Sequence, residues 1–189
     1  MRVEWWFTHL GDLFVAAAVG CAIVVWIWLN LNRLVGMAFG VCFSGTFALV
    51  TLIKLWTSRN LPQPDHVPLW ALSAGAPSGH AALAGMVYGG AAAIFLKATR
   101  GPLAVLGGLA SVAAVTLVAI TRVTLRTHSA ADVAAGLAVA GIFIAIFAAV
   151  LKAQVKDRDA TPLALGISMA VVAAIAMLSH IRLSSDQFL

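Results

Sequence analysis

The stretch VAAGLAVAGIFIAIFAAVL, residues 133–151, carries no charged side chain. As a helix it is long enough to cross the ~30 Å hydrocarbon core of a membrane. Similar uncharged stretches occupy residues 13–30, 34–53, 81–96, 103–121 and 161–179. Because lipid offers no hydrogen-bond partners, each stretch must satisfy its backbone N–H and C=O groups internally. The sequence therefore predicts an all-α, polytopic membrane protein built as a bundle of six transmembrane helices.

The overall composition leads to the same class. Of the 189 residues, 62% are hydrophobic and 10% are charged, whereas soluble domains are about 45–50% apolar and about 25% charged. A soluble fold of this length cannot bury so much apolar surface. The composition excludes a soluble secreted or cytosolic protein, a disordered chain and a disulfide scaffold. The short connections predict one membrane domain over residues 1–189.

Two segments lie outside the apolar stretches. Residues 1–12 contain Trp5 and Trp6 and are expected to lie in the membrane interface, where Trp is enriched. Residues 54–79 form the one long connection, contain most of the prolines and are predicted to be a loop. Six spans place this loop, both termini and the connection 122–128 on one side, which we call the N-terminal face.

The net charge of +5 comes from Lys and Arg residues scattered between the apolar stretches. Nucleic-acid binding needs a basic stripe or patch, and these charges form neither. Topology and anionic lipid headgroups are the uses we assign to them. The partner expected from the charge is the bilayer, with no nucleic acid, and the sequence does not specify an oligomeric state.

Polar residues gather beside the span ends on the N-terminal face. Ionisable groups at such positions are costly and usually functional. They form three clusters, which are Lys54 with Arg59, then Pro77-Ser78-Gly79-His80, then Arg122-x5-His128-x3-Asp132. The site is therefore expected at this one face of the membrane.

The second and third clusters contain the groups that phosphoryl transfer requires. Ser78 and Gly79 open a predicted helix, where backbone N–H groups and the helix dipole favour an anion. His128 and Asp132 are four residues apart, so they would share one face of a helix that began near His128. The carboxylate would then orient the ring as a nucleophile or base. Arg122 offers a planar fork for phosphate oxygens.

These clusters do not predict a metal site. The carboxylates available at this face are Asp65 and Asp132, too few for a magnesium cage. We therefore expect neither a metal nor a cofactor. Arg126, Asp65 and His66 are further candidates for contact with a substrate headgroup.

The three clusters together resemble the type 2 phosphatidic acid phosphatase family. The resemblance implies that His128 attacks phosphorus and becomes a phosphohistidine, that Asp132 supports it, and that His80 protonates the leaving oxygen. It also implies a metal-free reaction. The phosphoryl oxygens would be bound by Lys54, Arg59, Arg122, Ser78 and Gly79.

The first cluster departs from the family pattern, Lys-x6-Arg-Pro. Lys54 and Arg59 are five residues apart, and Pro62 follows three residues later. Five residues turn a helix by roughly 140° from the starting face, so Arg59 must lie in non-helical chain to reach the site. Arg126 is a possible substitute. The family's Ser before the third motif is Thr121 here, which keeps a hydroxyl.

The resemblance implies a lipid phosphate or diphosphate as substrate. Undecaprenyl diphosphate is the favoured choice, because a diphosphate suits several cations and an outward-facing site suits recycling of a polyprenyl carrier. Phosphatidylglycerophosphate, phosphatidic acid and lipid A phosphates are the alternatives.

The basic residues divide equally between the two faces. When Lys54, Arg59 and Arg122 are set aside as site residues, more Lys and Arg residues remain on the face opposite the N-terminal face. The positive-inside rule puts that opposite face in the cytoplasm. The expected location is a bacterial inner membrane, with the site facing the periplasm or exterior.

Other interpretations stay open at this point. The same enzyme class includes phosphotransfer from one lipid to another acceptor, and buried cations with histidines also occur in anion or proton transporters. Lys54 could simply snorkel from a helix end. His80 could be an interfacial residue or a cap, and His128 with Asp132 could be a structural cap pair.

Overall fold

A computed structural model describes residues 7–58, 75–156 and 162–185, without the side chains of residues 58, 162 and 180–185. Across these ranges the chain forms six α-helices and a short 3₁₀ turn, His9–Gly11. The helices are α1 (Leu13–Asn30), α2 (Arg33–Ser58), α3 (Gly79–Ala98), α4 (Pro102–Thr124), α5 (Ala130–Gln154) and α6 (Pro162–Ser185). The predicted all-α membrane helical bundle is confirmed.

Helices α1 to α5 are each long and apolar enough to span a membrane. Helix α6 contributes a shorter apolar segment, Leu163–Ser179. Large apolar side chains such as Leu29, Val41 and Leu109 are exposed on the outside of the bundle. In water such a surface would be unfavourable, whereas lipid accepts it. The chain is an integral membrane protein.

Helix α1 coincides with its uncharged stretch, whereas the other helices extend beyond theirs. Helix α2 continues to Ser58, so the prediction that the long connection begins at Lys54 is wrong. Lys54 lies in the final turns of α2, because a helix end at the membrane surface tolerates polar side chains while its backbone hydrogen bonds continue.

Helix α3 lies at the centre of the bundle and packs against α1, α2, α4 and α5. It can do so because its sequence is rich in small residues. Gly85 and Gly89 face α5, and a Cβ added at Gly85 would lie 2.8 Å from the Cβ of Ala140. The spacing of small residues by four predicts this close approach. The beginning of α3 is thereby held against the beginning of α5.

Candidate active site

The end of α4 sets the spacing between Arg122 and His128. The carbonyl oxygen of Arg122 accepts hydrogen bonds from the N–H groups of Thr127 (3.2 Å) and His128 (3.1 Å). It also accepts one from the Thr127 hydroxyl (3.0 Å). Arg126 turns the chain with a positive φ of 55°. The chain therefore folds back, and the His128 ring comes within electrostatic range of the Arg122 guanidinium.

Helix α5 begins with a capping box. The Ser129 hydroxyl accepts a hydrogen bond from the Asp132 N–H (3.2 Å), and Asp132 Oδ2 accepts one from the Ser129 N–H (2.9 Å). The same Oδ2 lies 3.8 Å from His128 Nδ1, longer than a direct hydrogen bond. The expectation of a shared helix face applied to a helix that begins near His128, whereas α5 begins at Ala130 and His128 precedes it. The cap brings them together instead.

The His128 side chain is buried, with 7% of the residue exposed. Its Nδ1 has no hydrogen-bond partner among the described residues. Burial lowers the pKa of His128 below the ordinary value of 6.5, the charges of Arg122 and Lys54 lower it further, and Asp132 partly offsets them. The ring is therefore neutral at pH 7 and keeps a nitrogen lone pair.

The beginning of α3 is locked to the beginning of α5. The Ser78 N–H donates to the carbonyl oxygen of Asp132 (2.9 Å), and the Ser78 hydroxyl caps α3 by accepting from the Ala81 N–H (3.5 Å). A Cβ added at Gly136 would overlap the Ser78 carbonyl oxygen. Ser78 is fully buried, and Gly79 is the first residue of α3. The backbone N–H groups of this end lie at the positive pole of the helix.

Two cations are buried near His128. Lys54, in the final turns of α2, and Arg122, near the end of α4, are each 9% exposed. Nη1 of Arg122 donates to the Thr8 hydroxyl (3.0 Å), whereas its buried Nε has no hydrogen-bond partner within the described part of the chain. Both charges act on His128. Two cations beside a neutral imidazole form an electropositive site suited to a phosphate group.

His80 lies in the first turn of α3 and faces the N-terminal 3₁₀ turn. Its Nε2 is 4.0 Å from Asp12 Oδ2. Gly11 fits tightly beside it, since a Cβ there would lie 2.7 Å from the His80 carbonyl oxygen. The charges of Arg122 and His128 also act on His80. The two histidines of the sequence motifs therefore belong to one electrostatic cluster.

The structure brings together most of the site residues predicted from sequence. The converging ones are Lys54, Ser78, Gly79, His80, Arg122, His128 and Asp132. Arg126 is exposed on the turn after α4. The predicted candidates Arg59, Asp65 and His66 lie outside the described residues. In the described ranges, no group of three or more His, Cys, Asp or Glu side chains is arranged to hold a metal ion.

Sequence reasoning missed Thr8, Asp12, Ser129 and Gly136. Asp12 and Ser129 each precede an apolar run, and Ser129 has Asp132 three residues later, so their capping roles were visible in the sequence. Thr8 and Gly136 gave no signal, because their roles depend on contacts with segments distant in the chain.

Comparison with known families identifies the class. Residues 33–156 match the family model of the PAP2 superfamily. This match spans well over half of the chain and includes α2 to α5, so the protein belongs to the PAP2 superfamily. Comparisons with curated proteins and with solved structures find no significant match. The resemblance inferred from the motifs is confirmed, and membership indicates a phosphatase or phosphotransferase of lipid-like phosphates.

Proposed function

We propose that this protein is a membrane lipid phosphatase that hydrolyses a lipid phosphate or diphosphate through a phosphohistidine on His128. The observation that carries the proposal is the position of His128, which is buried, lies within electrostatic range of Arg122 and Lys54, and has Asp132 Oδ2 3.8 Å from its Nδ1. A neutral imidazole held beside fixed cations is the arrangement that nucleophilic attack on a phosphate dianion requires.

In the first step, the lone pair on Nε2 of His128 attacks the terminal phosphorus, and the bond from that phosphorus to the leaving oxygen breaks. The leaving oxygen is the lipid oxygen of a monophosphate, or the oxygen between the two phosphates of a diphosphate. The leaving oxygen takes a proton from the His80 ring, which enters this step as an imidazolium because the negative charge of the bound phosphate favours the protonated ring. Asp132 faces the other ring nitrogen, Nδ1, and stabilises the positive charge that develops on His128. The products of this step are the phosphohistidine and a lipid with one phosphoryl group fewer, which is a lipid alcohol from a monophosphate and a lipid monophosphate from a diphosphate.

In the second step, water attacks the phosphohistidine. His80, now neutral, takes a proton from the water, and the bond between phosphorus and Nε2 breaks. Inorganic phosphate leaves and His128 returns to its neutral form. The protonation states of both histidines are thereby restored.

Positive charge at the reacting phosphoryl group comes from the protein itself. Arg122 and Lys54 supply fixed cations. The Gly79 N–H lies at the beginning of α3, where the helix dipole is positive. Arg59, Ser78 and Arg126 keep their predicted roles as further phosphate or headgroup contacts, as do Asp65 and His66. The reaction as proposed is independent of metal ions.

The substrate we propose is undecaprenyl diphosphate, with the site opening to the periplasm or exterior of a bacterial inner membrane. Two buried cations suit a group of high negative charge, and the distribution of the remaining Lys and Arg favours this orientation. Phosphatidylglycerophosphate, phosphatidic acid and lipid A phosphates are the substrates to compare with it.

The test is phosphate release by purified protein in detergent, with a chelator present, from each of these four lipids. We expect release from at least one of them, fastest from the polyprenyl diphosphate. His128→Ala should abolish release, and His80→Ala should reduce it by about 10²- to 10⁴-fold, the range of general acid–base catalysis.

A substrate labelled with radioactive phosphorus should leave an acid-labile label on the wild-type protein and none on His128→Ala. Undiminished release by His128→Ala would reject the nucleophile, and strict dependence on added magnesium would reject the metal-free reaction. Transfer of label to an added lipid alcohol in preference to water would identify a phosphotransferase instead.

A further inference from the structure

We infer that Asp12 is a positioning residue for His80, so that this site contains a second carboxylate–histidine pair beside that of His128 and Asp132. The inference rests on the proposed function, because it concerns proton donation in the reaction described above. Asp12 lies outside residues 33–156, the part of the chain that matches the PAP2 family model.

The backbone fixes the position of the Asp12 carboxylate. Asp12 is the N-cap of α1, and its Oδ1 accepts a hydrogen bond from the Phe14 N–H (3.0 Å). With one oxygen held in this way, the other, Oδ2, faces His80 Nε2 at 4.0 Å. Catalytic hydrogen bonds in a free enzyme are often long and shorten when the substrate binds.

The turn that carries Asp12 is packed firmly against the site. Gly11 leaves no room for a Cβ between the His80 carbonyl oxygen and the side chain of Val118. Thr8, on the same segment, accepts the hydrogen bond from Arg122. Residues 8–12 are therefore fixed on both sides of Asp12. Thr8 and Gly11 contact the site before it, and helix α1 follows it.

The charges around His80 give Asp12 a specific role. The cation Arg122 and the rings of His9 and His128 all act electrostatically on the His80 ring. Among the described residues, Asp12 is the one acid whose charge acts on His80 in the opposite sense. A general acid must carry the proton that it delivers, so a nearby carboxylate assists it. As the leaving oxygen takes the proton, the ring becomes neutral and Asp12 remains a carboxylate.

The test uses two amphiphilic substrates that differ in how much they need a proton donor. A long-chain alkyl phosphate has a strongly basic leaving oxygen, whereas a nitrophenyl phosphate with the same chain has a leaving group that departs without protonation. Asp12→Asn and Asp12→Ser keep good N-cap residues and remove the charge. We expect kcat/KM to fall about tenfold or more for the alkyl phosphate, within the range for general acid catalysis. It should change less than about threefold for the nitrophenyl phosphate.

A double-mutant cycle tests whether Asp12 acts through His80. His80→Ala should show the same selective loss on the alkyl phosphate, and adding Asp12→Asn to it should cause no further loss. A further tenfold loss in the double variant would overturn the inference.

Asn32 provides a matched control. It precedes the beginning of α2, whereas the site lies at the end of that helix. Its Oδ1 accepts from the Leu34 N–H (2.8 Å), the same capping pattern as that of Asp12 with Phe14. Asn32→Ala should leave the ratio of the two kcat/KM values unchanged, because it removes a cap without changing the charge near His80.

The outcomes separate this inference from the proposed function. If the wild-type protein releases phosphate and His128→Ala does not, the proposed function stands. Equal losses on both substrates in Asp12→Asn, or no loss on either, would then reject only the role of Asp12. Absence of phosphate release by the wild-type protein would reject the proposed function itself.

Discussion

His128 illustrates how a few neighbouring charges determine what one side chain can do. Burial and the cations Arg122 and Lys54 lower the pKa of the ring and so favour its neutral form, while Asp132 Oδ2 faces Nδ1 at 3.8 Å. In the proposed reaction, the cations that would bind phosphate therefore act together with burial to favour the neutral, nucleophilic form of His128. Binding and activation depend on the same residues.

The pH dependence of the reaction follows from this arrangement. Protonated His128 has no lone pair on Nε2, so activity is lost as the pH falls through its pKa, which lies below 6.5. We expect Lys54→Gln to move the acid limb of the kcat/KM profile to higher pH, because removing the cation raises the pKa of His128. His80, on α3, and Asp132, on α5, also face this ring and are unchanged in the variant.

Lys152→Gln is the control for this measurement. Lys152 is exposed in the last turn of α5, at the end of that helix far from His128. The ionisation of the substrate is the same in all three proteins, so only a difference between their profiles reports on the enzyme. An acid limb that coincides in Lys54→Gln and wild type would contradict the assigned electrostatics.

Among the helices, the contact between the beginnings of α3 and α5 is decisive for the site. It joins Pro77-Ser78-Gly79-His80 to the segment His128–Asp132 by one backbone hydrogen bond, from Ser78 N–H to Asp132 C=O. Close packing at Gly136 allows that bond to form. A shift of either helix would separate the motifs without changing any of their residues.

Gly136→Ala should therefore impair the site from outside it. The added methyl group would overlap the Ser78 carbonyl oxygen, a backbone atom that cannot rotate away. Overpacking of this kind costs typically about 1–3 kcal/mol. We expect a lower thermal unfolding temperature and a loss of phosphate release.

Gly141→Ala, on the same helix, is the matched comparison. A Cβ added there meets no atom within 4 Å, and alanine is the better helix former by roughly 0.5–1 kcal/mol. This variant should keep full activity with unchanged or higher stability. Equal behaviour of the two variants, measured by thermal unfolding and phosphate release, would show that the α3–α5 contact does not control the site.

On the scale of the whole molecule, the site is assembled from five separate parts of the chain. The N-terminal turn, the end of α2, the beginning of α3, the end of α4 and the beginning of α5 all meet at one end of the bundle. Consecutive helices run in opposite directions, so the beginnings of α1, α3 and α5 lie at the same end of the bundle as the ends of α2 and α4. In the proposed function, a membrane-borne substrate would meet all of them at this one end of the bundle.

The proposed orientation can be tested on α5 alone. Ala131 and Ala153 are exposed residues near its two ends, and a helix of 25 residues is about 37 Å long at ~1.5 Å per residue. In a background without Cys21 and Cys42, a membrane-impermeant thiol reagent should label Ala131→Cys in intact cells. It should label Ala153→Cys only after lysis. The reverse pattern would place the site in the cytoplasm.

Much of the protein could be predicted from the sequence because the signals are local. An uncharged run such as residues 133–151 must be helical in lipid, whatever surrounds it. The chemical types of His80, Arg122 and His128 indicated phosphoryl transfer before any contact was known. The capping signals of Asp12 and Ser129 were equally local, although sequence reasoning did not use them.

Tertiary structure alone decided which groups face one another. The sequence by itself determined six apolar helices and the residue types at their ends, since hydrophobicity and helix geometry act within each segment. It did not determine that Thr8 accepts a hydrogen bond from Arg122, that Asp12 faces His80, or that Gly136 packs closely against the backbone of Ser78. Those contacts join residues far apart in the chain, and they exist only because the helices pack closely enough to bring their ends to one place.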